Sequence, residues 1–152
     1  MKLAEALALR ADLQKRIAQL RSRLSANAKV QEGDTPAEDP AALLEELRAC
    51  LEQLESLIRR INRTNCLTAA DDGQTLTDKL ARRDALTLEL SILREFCGEA
   101  SAKTDRYSTK EIRILSTVDV RALQKQIDGK SKELRELDTE IQGLNWTREL
   151  LD

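Results

Sequence analysis

Histidine is absent from this chain of 152 residues, and aromatic residues, glycine and proline are all scarce. Without histidine, the chain lacks the commonest metal ligand and the commonest side chain for proton transfer near neutral pH. Aromatic residues make up 2% of the sequence, and five Gly and two Pro give few interruptions to regular structure. Leu, Ala, Glu, Arg, Lys and Gln dominate instead, which is the composition of long helices. We therefore expect an all-α fold with no metal and no cofactor.

Long apolar runs are also missing. The longest spans only a few residues, so we expect no transmembrane helix and no stable membrane insertion. Residues 1–10 superficially resemble an export signal, but Glu5 and Arg10 interrupt the apolar stretch. The beginning of the chain is therefore interpreted as part of a helix and not as a signal peptide.

Three cysteines, Cys50, Cys66 and Cys97, are widely spaced and form no CxxC motif. An odd number of separate thiols is typical of proteins from a reducing compartment. We expect each cysteine to behave as a small buried apolar residue and not as a reactive thiol. The cysteine pattern therefore predicts a cytoplasmic protein.

Charge is nearly balanced overall, with 25 basic and 27 acidic residues, which argues against a specific nucleic-acid binder. The balance hides an asymmetry, because residues 1–30 have a net charge of +5 and residues 31–57 a net charge of −7. Opposite charges on neighbouring segments help to select a partner and its orientation. We expect the two segments to pair as an antiparallel helical hairpin.

Apolar residues recur at heptad spacing along most of the chain, which predicts helices at about 2–30, 41–64, 76–101 and 118–150. In the last helix, one stripe runs from Val120 to Arg148 and needs a partner helix. Lys130 lies on this stripe, which indicates a partly solvated seam or a subunit edge. The third helix has two apolar stripes, which predicts a central helix packed on two sides.

The remaining segments are interpreted as a mobile linker at 31–40 and irregular segments at 65–75 and 102–117. Residues 65–68 and 74–77 could form a short hairpin around Asp72-Gly73. Residues 111–118 alternate and predict a short strand, whose partner could be the 65–77 segment or a second subunit. The chain is thus predicted to be one elongated antiparallel bundle over residues 1–152, with a possible short β element.

One polar cluster interrupts the apolar pattern. Asn65 lies on an apolar seam beside Asn62 and Arg63, and Arg106 and Tyr107 lie in the second irregular segment. A polar residue on a seam can fix helix register or oligomeric state, and this is the favoured interpretation. Alternatively, the five residues could surround a small anion, with arginine supplying charge and the amides and phenol supplying neutral hydrogen bonds. No catalytic residues are predicted.

Trp146, with Leu150 and Leu151, forms a broader apolar end on the last helix. We expect this end to pack in the core or at a subunit contact. A site for an external protein partner is the alternative.

Several blocks of the sequence look familiar, among them Ile-Asn-Arg-Thr-Asn and Asn-Trp-Thr. The blocks lie at residues 10–17, 27–33, 61–65, 76–78, 116–120 and 145–150. Together they resemble a family of short, uncharacterised bacterial helical proteins often labelled "septicolysin". That label implies a membrane-active cytolysin, although mixed-sign polar faces and a first helix without aromatics are not typical of lipid-binding helices.

The pattern as a whole favours a cytoplasmic, non-catalytic scaffold or adaptor that associates with itself. Exposed heptad edges are the reason to expect a homo-oligomer, and an unidentified protein partner is a further expectation. The alternatives are a membrane-active cytolysin, as the label implies, and a small-anion binder or enzyme that uses the Asn/Arg/Tyr cluster.

Overall fold

The structure is a computed structural model that describes residues 1–102 and 113–152. It contains four long helices: α1 (Leu3–Ala26), α2 (Pro40–Leu67), α3 (Leu76–Ser101) and α4 (Val120–Thr147). The predicted all-α fold of four long helices is confirmed. The chain divides into two compact units, unit 1 (Met1–Leu76 with Gly143–Asp152) and unit 2 (Thr77–Gln142).

In unit 1, α1 and α2 pack against each other along one apolar stripe of each helix. Buried residues recur at every seventh position in both helices, because two helical turns return a side chain to nearly the same face. These residues are Ala6, Leu13, Leu20 and Asn27 in α1 and its cap, and Leu43, Cys50, Leu57 and Thr64 in α2.

Ion pairs join α1 to α2 and to the residues just before α2. The guanidinium of Arg16 lies 2.8 Å from the carboxylate of Glu46, and Arg23 binds Glu38 through both Nε and Nη2. The hydrogen bond from Arg23 holds the pKa of Glu38 below its usual value. The basic and acidic segments therefore pair as an antiparallel hairpin, as their charges predict.

Asn27 ends α1 about one turn earlier than expected. Its side-chain Nδ2 donates to the carbonyl of Arg23 (2.9 Å), and its Oδ1 accepts from the N–H of Glu38 (3.0 Å). An asparagine that binds the backbone in this way competes with continued helix. The chain then restarts at Asp39, whose carboxylate accepts from the N–H of Ala41 (3.0 Å) and caps α2.

The end of α2 also differs from expectation, because the helix continues to Leu67. The hairpin considered for 65–68 and 74–77 is absent, and a tight turn with one antiparallel bridge, between Ala69 and Thr75, is present instead. Gly73 has a φ of 80°, a conformation that favours glycine. The N–H of Ala70 donates to the carbonyl of Gln74 (2.8 Å) and closes the turn.

Unit 2 contains α3 and most of α4, which pack along a core of aliphatic side chains. The buried members of this core are Leu86, Leu90, Cys97, Leu123 and Ile127. Lys130 continues the α4 stripe, and its ammonium lies 2.9 Å from the carboxylate of Glu89 on α3. The stripe therefore has a partner helix inside the chain, and Lys130 is half-buried beside it.

The segment before α4 was predicted to include a strand at 111–118. Residues 113–118 form no strand, and residues 111 and 112 lie outside the described residues. A strand needs a neighbour for its N–H and C=O groups, and the described residues offer none here. Ser116 instead forms a local turn with Val118 (Oγ to O, 3.0 Å), and Asp119 caps α4 at Ala122 (3.0 Å).

Candidate functional site

Three residues of the predicted polar cluster lie on the last turns of α2. Asn62 and Arg63 are exposed and Asn65 is half-buried. The guanidinium of Arg63 donates to the main-chain oxygen of Asp152. Arg106 and Tyr107 lie outside the described residues, so the small-anion pocket stays a prediction.

Arg60 and Thr64, which the sequence did not single out, bind the segment that follows α4. Arg60 donates from Nε to the carbonyl of Leu151 (3.1 Å) and from Nη2 to the carboxylate of Asp152 (2.8 Å). The hydroxyl of Thr64 donates to the carbonyl of Arg60 (2.8 Å) and accepts from the N–H of Leu151 (2.9 Å). This end of α2 therefore holds residues 151 and 152 in place, and Arg63 adds to that contact.

The first residues of the chain also bind the segment that follows α4. The N–H of Leu3 donates to the carbonyl of Arg148 (3.0 Å), and the N–H of Leu150 donates to the carbonyl of Met1 (2.8 Å). These bonds end α4 at Thr147, three residues before the expected end. Lys2 lies 2.6 Å from the carboxylate of Glu149. Hydrogen bonds from Lys2 and from the terminal amino group hold the pKa of Glu149 below its usual value.

An open groove of about 440 Å³ lies between α1 and α2. Leu9, Leu13 and Leu57 are among its apolar lining residues, and Glu52 and Arg60 are among its charged ones. In the described residues, no group of three or more Cys, Asp or Glu side chains is arranged to hold a metal ion.

The exposed apolar stripe of α2 consists of Leu44, Leu51 and Ile58, which are separated by seven residues each. Leu47 and Leu54 are half-buried and join this stripe to the α1–α2 core. The helix is thus apolar beyond the arc that α1 covers. This surface runs along two full heptads of α2.

A second exposed stripe lies on α3 and consists of Leu88, Ile92 and Phe96. The sequence predicted that α3 would be packed on two sides. That prediction is wrong for this stripe, because Leu88, Ile92 and Phe96 have exposed fractions of 64%, 56% and 45%. Trp146 is likewise 64% exposed and is not a core residue.

The protein is therefore an all-helical, four-helix protein whose prominent surface features are apolar helix faces. None of the helices in residues 1–102 and 113–152 combines the length and apolarity needed to cross a membrane. The described cysteines are free thiols, with Cys50 and Cys97 buried and Cys66 exposed. The exposure of Cys66 therefore contradicts the expectation that each cysteine is a small buried residue.

Comparison with known proteins places the chain in a family. Residues 10–150 match the model of a family of unknown function, DUF6847, and the chain belongs to this family. A crystal structure of a functionally unknown conserved protein from Corynebacterium diphtheriae has 44% sequence identity and a TM-score of 0.91, and the alignment covers 99% of each chain. A search among curated proteins gave no match.

These comparisons correct the resemblance drawn from the sequence blocks. The family is one of unknown function, and the similar crystal structure is described as functionally unknown, so nothing connects the chain with the septicolysin label. Blocks such as Ile-Asn-Arg-Thr-Asn and Asn-Trp-Thr were the basis of that interpretation. Both lie where α2 and α4 approach their ends in unit 1, and Thr64 binds Leu151 there, so a structural role accounts for part of this pattern. The cytolysin alternative depended on the label and is withdrawn with it.

Proposed function

We propose that this protein is a non-catalytic helical scaffold that associates with a second copy of itself through α2. The observation that carries the proposal is the stripe of Leu44, Leu51 and Ile58, which α1 leaves uncovered. The stripe is about 21 Å long at 1.5 Å per residue, which is enough for a helix of the second copy to pack along it. Burial of three aliphatic side chains from each copy supplies the driving force.

An antiparallel coiled-coil arrangement about a two-fold axis at Leu51 fits the spacing of the stripe. In this arrangement Leu51 meets its own counterpart, and Leu44 of one copy lies opposite Ile58 of the other. A two-fold interface uses the same patch on both copies, so the patch must be complementary to itself. The seven-residue spacing on either side of Leu51 meets this requirement.

Four of the charged residues beside the stripe are complementary in the same register, whereas Glu52 lies next to its own counterpart. Arg48 of one copy falls beside Glu55 of the other, and Glu45 falls beside Arg59. Each pair occurs twice because of the two-fold axis. Within the single chain, Arg48 binds Glu45 of the same helix, and both side chains are exposed and can exchange partners. Exposed ion pairs contribute little stability each, but they do select the orientation of the two helices.

We also propose that the protein works in a reducing compartment such as the cytoplasm. The three free thiols support this part of the proposal, because proteins of oxidising compartments usually pair their cysteines. The structure of unit 1 gives α2 a rigid support, since the hairpin with α1 and the contacts of Arg60 and Thr64 hold both ends of the helix.

Matched lysine substitutions at Leu51 and Leu9 test the proposal by sedimentation equilibrium over a concentration series. The two leucines have similar exposed fractions, 46% and 42%, and each lies on a helix of unit 1. We expect the wild type to form dimers and Leu51→Lys to be monomeric, because two ammonium groups would then face each other across the two-fold axis. Leu9 lies outside the stripe, so Leu9→Lys should dimerise like the wild type.

Circular dichroism of each variant establishes that helix content is retained. A wild type that stays monomeric throughout the series would refute the proposal. Equal loss of dimer in Leu51→Lys and Leu9→Lys would also contradict it, because association would then depend on general surface apolarity and not on the α2 stripe.

A further inference from the structure

The stripe of Leu88, Ile92 and Phe96 on α3 is a second surface, in a different unit from the α2 stripe. Ala81 and Ala85 are exposed and extend it towards the beginning of the helix. From residue 81 to residue 96 the surface is about 22 Å long, which is about four helical turns. The surface has small residues at one end and large aliphatic and aromatic residues at the other. A partner helix can pack along it.

Most of the charged residues around this stripe are acidic. Each residue of an α-helix is rotated by roughly 100° about the helix axis from the one before it. By this rule, Asp84, Glu95 and Glu99 lie on the same face of α3 as the stripe. Glu95 and Glu99 are exposed and make no ion pair with any residue that the structure describes. The apolar surface is therefore bordered by carboxylates.

The arginines of α3 each bind another side chain of unit 2, and Arg83 lies 3.0 Å from the carboxylate of Asp84 in the border. Arg82 lies 2.6 Å from the carboxylate of Glu133, and Arg94 donates to the hydroxyl of Ser131 (3.0 Å). Hydrogen bonding to Glu133 raises the pKa of Arg82 above its ordinary value. Among the residues that the structure describes, these basic side chains leave Glu95 and Glu99 of the border without an ion pair.

We infer that the α3 stripe binds an amphipathic helix of another protein whose apolar face is bordered by lysine or arginine. An apolar groove or face typically takes such a helix through residues spaced three or four apart. The acidic border selects basic residues beside the apolar anchors of the partner and steers its approach. Phe96 is the large aromatic anchor of the surface, a residue type that often dominates binding energy.

The charges favour this partner over a second copy of the chain. If α3 packed antiparallel against α3 of another copy, the acidic borders would face each other and repel. Lipid surfaces are disfavoured for the same reason, because interfacial helices usually carry a basic border that anionic headgroups attract. The inference is independent of dimerisation through α2, since the two surfaces share no residue.

Fluorescence anisotropy with labelled synthetic peptides tests this inference. The probe is a helix-forming peptide of four turns with leucine at heptad spacing and lysine beside it, and the matched control has glutamate in place of each lysine. We expect the full-length protein to bind the lysine peptide and not the glutamate peptide. Binding should weaken as salt is added, because exposed charges are screened.

Two pairs of substitutions locate the binding surface. Ile92→Gln with Phe96→Ser should weaken binding of the lysine peptide by at least about tenfold, since two anchors are lost. Leu44→Gln with Leu51→Gln removes a similar amount of exposed apolar surface from α2 and should leave peptide affinity unchanged. All these residues are exposed, and circular dichroism establishes that each variant keeps its helices.

Reversing the charge of the acidic border tests the inference most directly. Glu95→Lys with Glu99→Lys should reverse the preference, so that the glutamate peptide binds and the lysine peptide does not. The inference is overturned if the wild type binds both peptides equally or neither, or if the Ile92→Gln, Phe96→Ser protein binds as the wild type does. It is also overturned if the α3 variants abolish dimerisation while the α2 variants do not, because the occupant would then be a second copy.

Discussion

Replacing Thr64 with valine tests how unit 1 holds residues 151 and 152. Thr64 is completely buried, and its hydroxyl makes two hydrogen bonds, one to the carbonyl of Arg60 and one from the N–H of Leu151. Valine has almost the same shape, so Thr64→Val removes both bonds without leaving a cavity. The N–H of Leu151 then faces a methyl group.

The expected loss of stability follows from these two bonds. A bond from a threonine hydroxyl to the carbonyl four residues earlier contributes little, because this carbonyl already accepts within the helix. Leaving a partly buried N–H without a partner costs about 1–2 kcal/mol. We therefore expect Thr64→Val to lower the free energy of unfolding by about 1–2 kcal/mol, nearly all of it from the bond to Leu151.

Thr87 supplies the matched control, because its hydroxyl makes the same bond to the carbonyl four residues earlier (Arg83, 2.8 Å) but is exposed. Thr87→Val should change the free energy of unfolding by less than about 0.5 kcal/mol. Urea denaturation measures both variants, and hydrogen exchange of the Leu151 amide localises the effect. The amide should exchange faster in Thr64→Val than in Thr64→Ser, which keeps the hydroxyl.

Equal and small effects of Thr64→Val and Thr87→Val would refute this reasoning, because the bond to Leu151 would then contribute nothing. Unchanged exchange of the Leu151 amide in Thr64→Val would refute it as well.

Two further predictions follow from burial and charge. Leu90→Ala should lower the free energy of unfolding by about 2–5 kcal/mol and Leu88→Ala by less than about 0.5 kcal/mol in urea denaturation, because only Leu90 is buried; equal losses would show that the α3 stripe is covered. Glu149→Gln should destabilise the protein at neutral pH but not in acid. Since Lys2 lowers the pKa of Glu149 in the folded protein, this stabilisation is present above the ordinary carboxyl pKa and is lost as pH falls through the folded pKa. Thermal unfolding at neutral and at acid pH measures the effect, and an equal destabilisation of Glu149→Gln at both would contradict this prediction.

The α1–α2 hairpin could be predicted from sequence because its determinants are local and repetitive. Seven-residue spacing identifies the buried face of each helix, and the change from basic to acidic charge identifies the partner. Arg16 and Glu46 then meet 2.8 Å apart across the hairpin. The cap at Asp39 is likewise visible from the following proline.

Other contacts could not be predicted because they join residues far apart in the chain. The carboxylate of Asp152 binds Arg60, 92 positions earlier, and no periodic pattern encodes this approach. The ion pair of Lys130 could not be predicted from the α4 stripe, because its partner, Glu89, lies on another helix. Periodicity also identifies an apolar face without identifying what covers it. The α3 stripe was therefore expected to be buried, although it is exposed.

The central claim, that two copies associate through α2 in one register, is tested most directly by exchanging Arg48 and Glu55. Sedimentation equilibrium compares the wild type with Arg48→Glu, Glu55→Arg and the double variant. Because each pair occurs twice in the dimer, we expect each single reversal to weaken dimerisation by about three- to tenfold. The double variant restores both pairs and should dimerise like the wild type. Single variants that dimerise normally, or a double variant that stays as weak as the single ones, would contradict the claim.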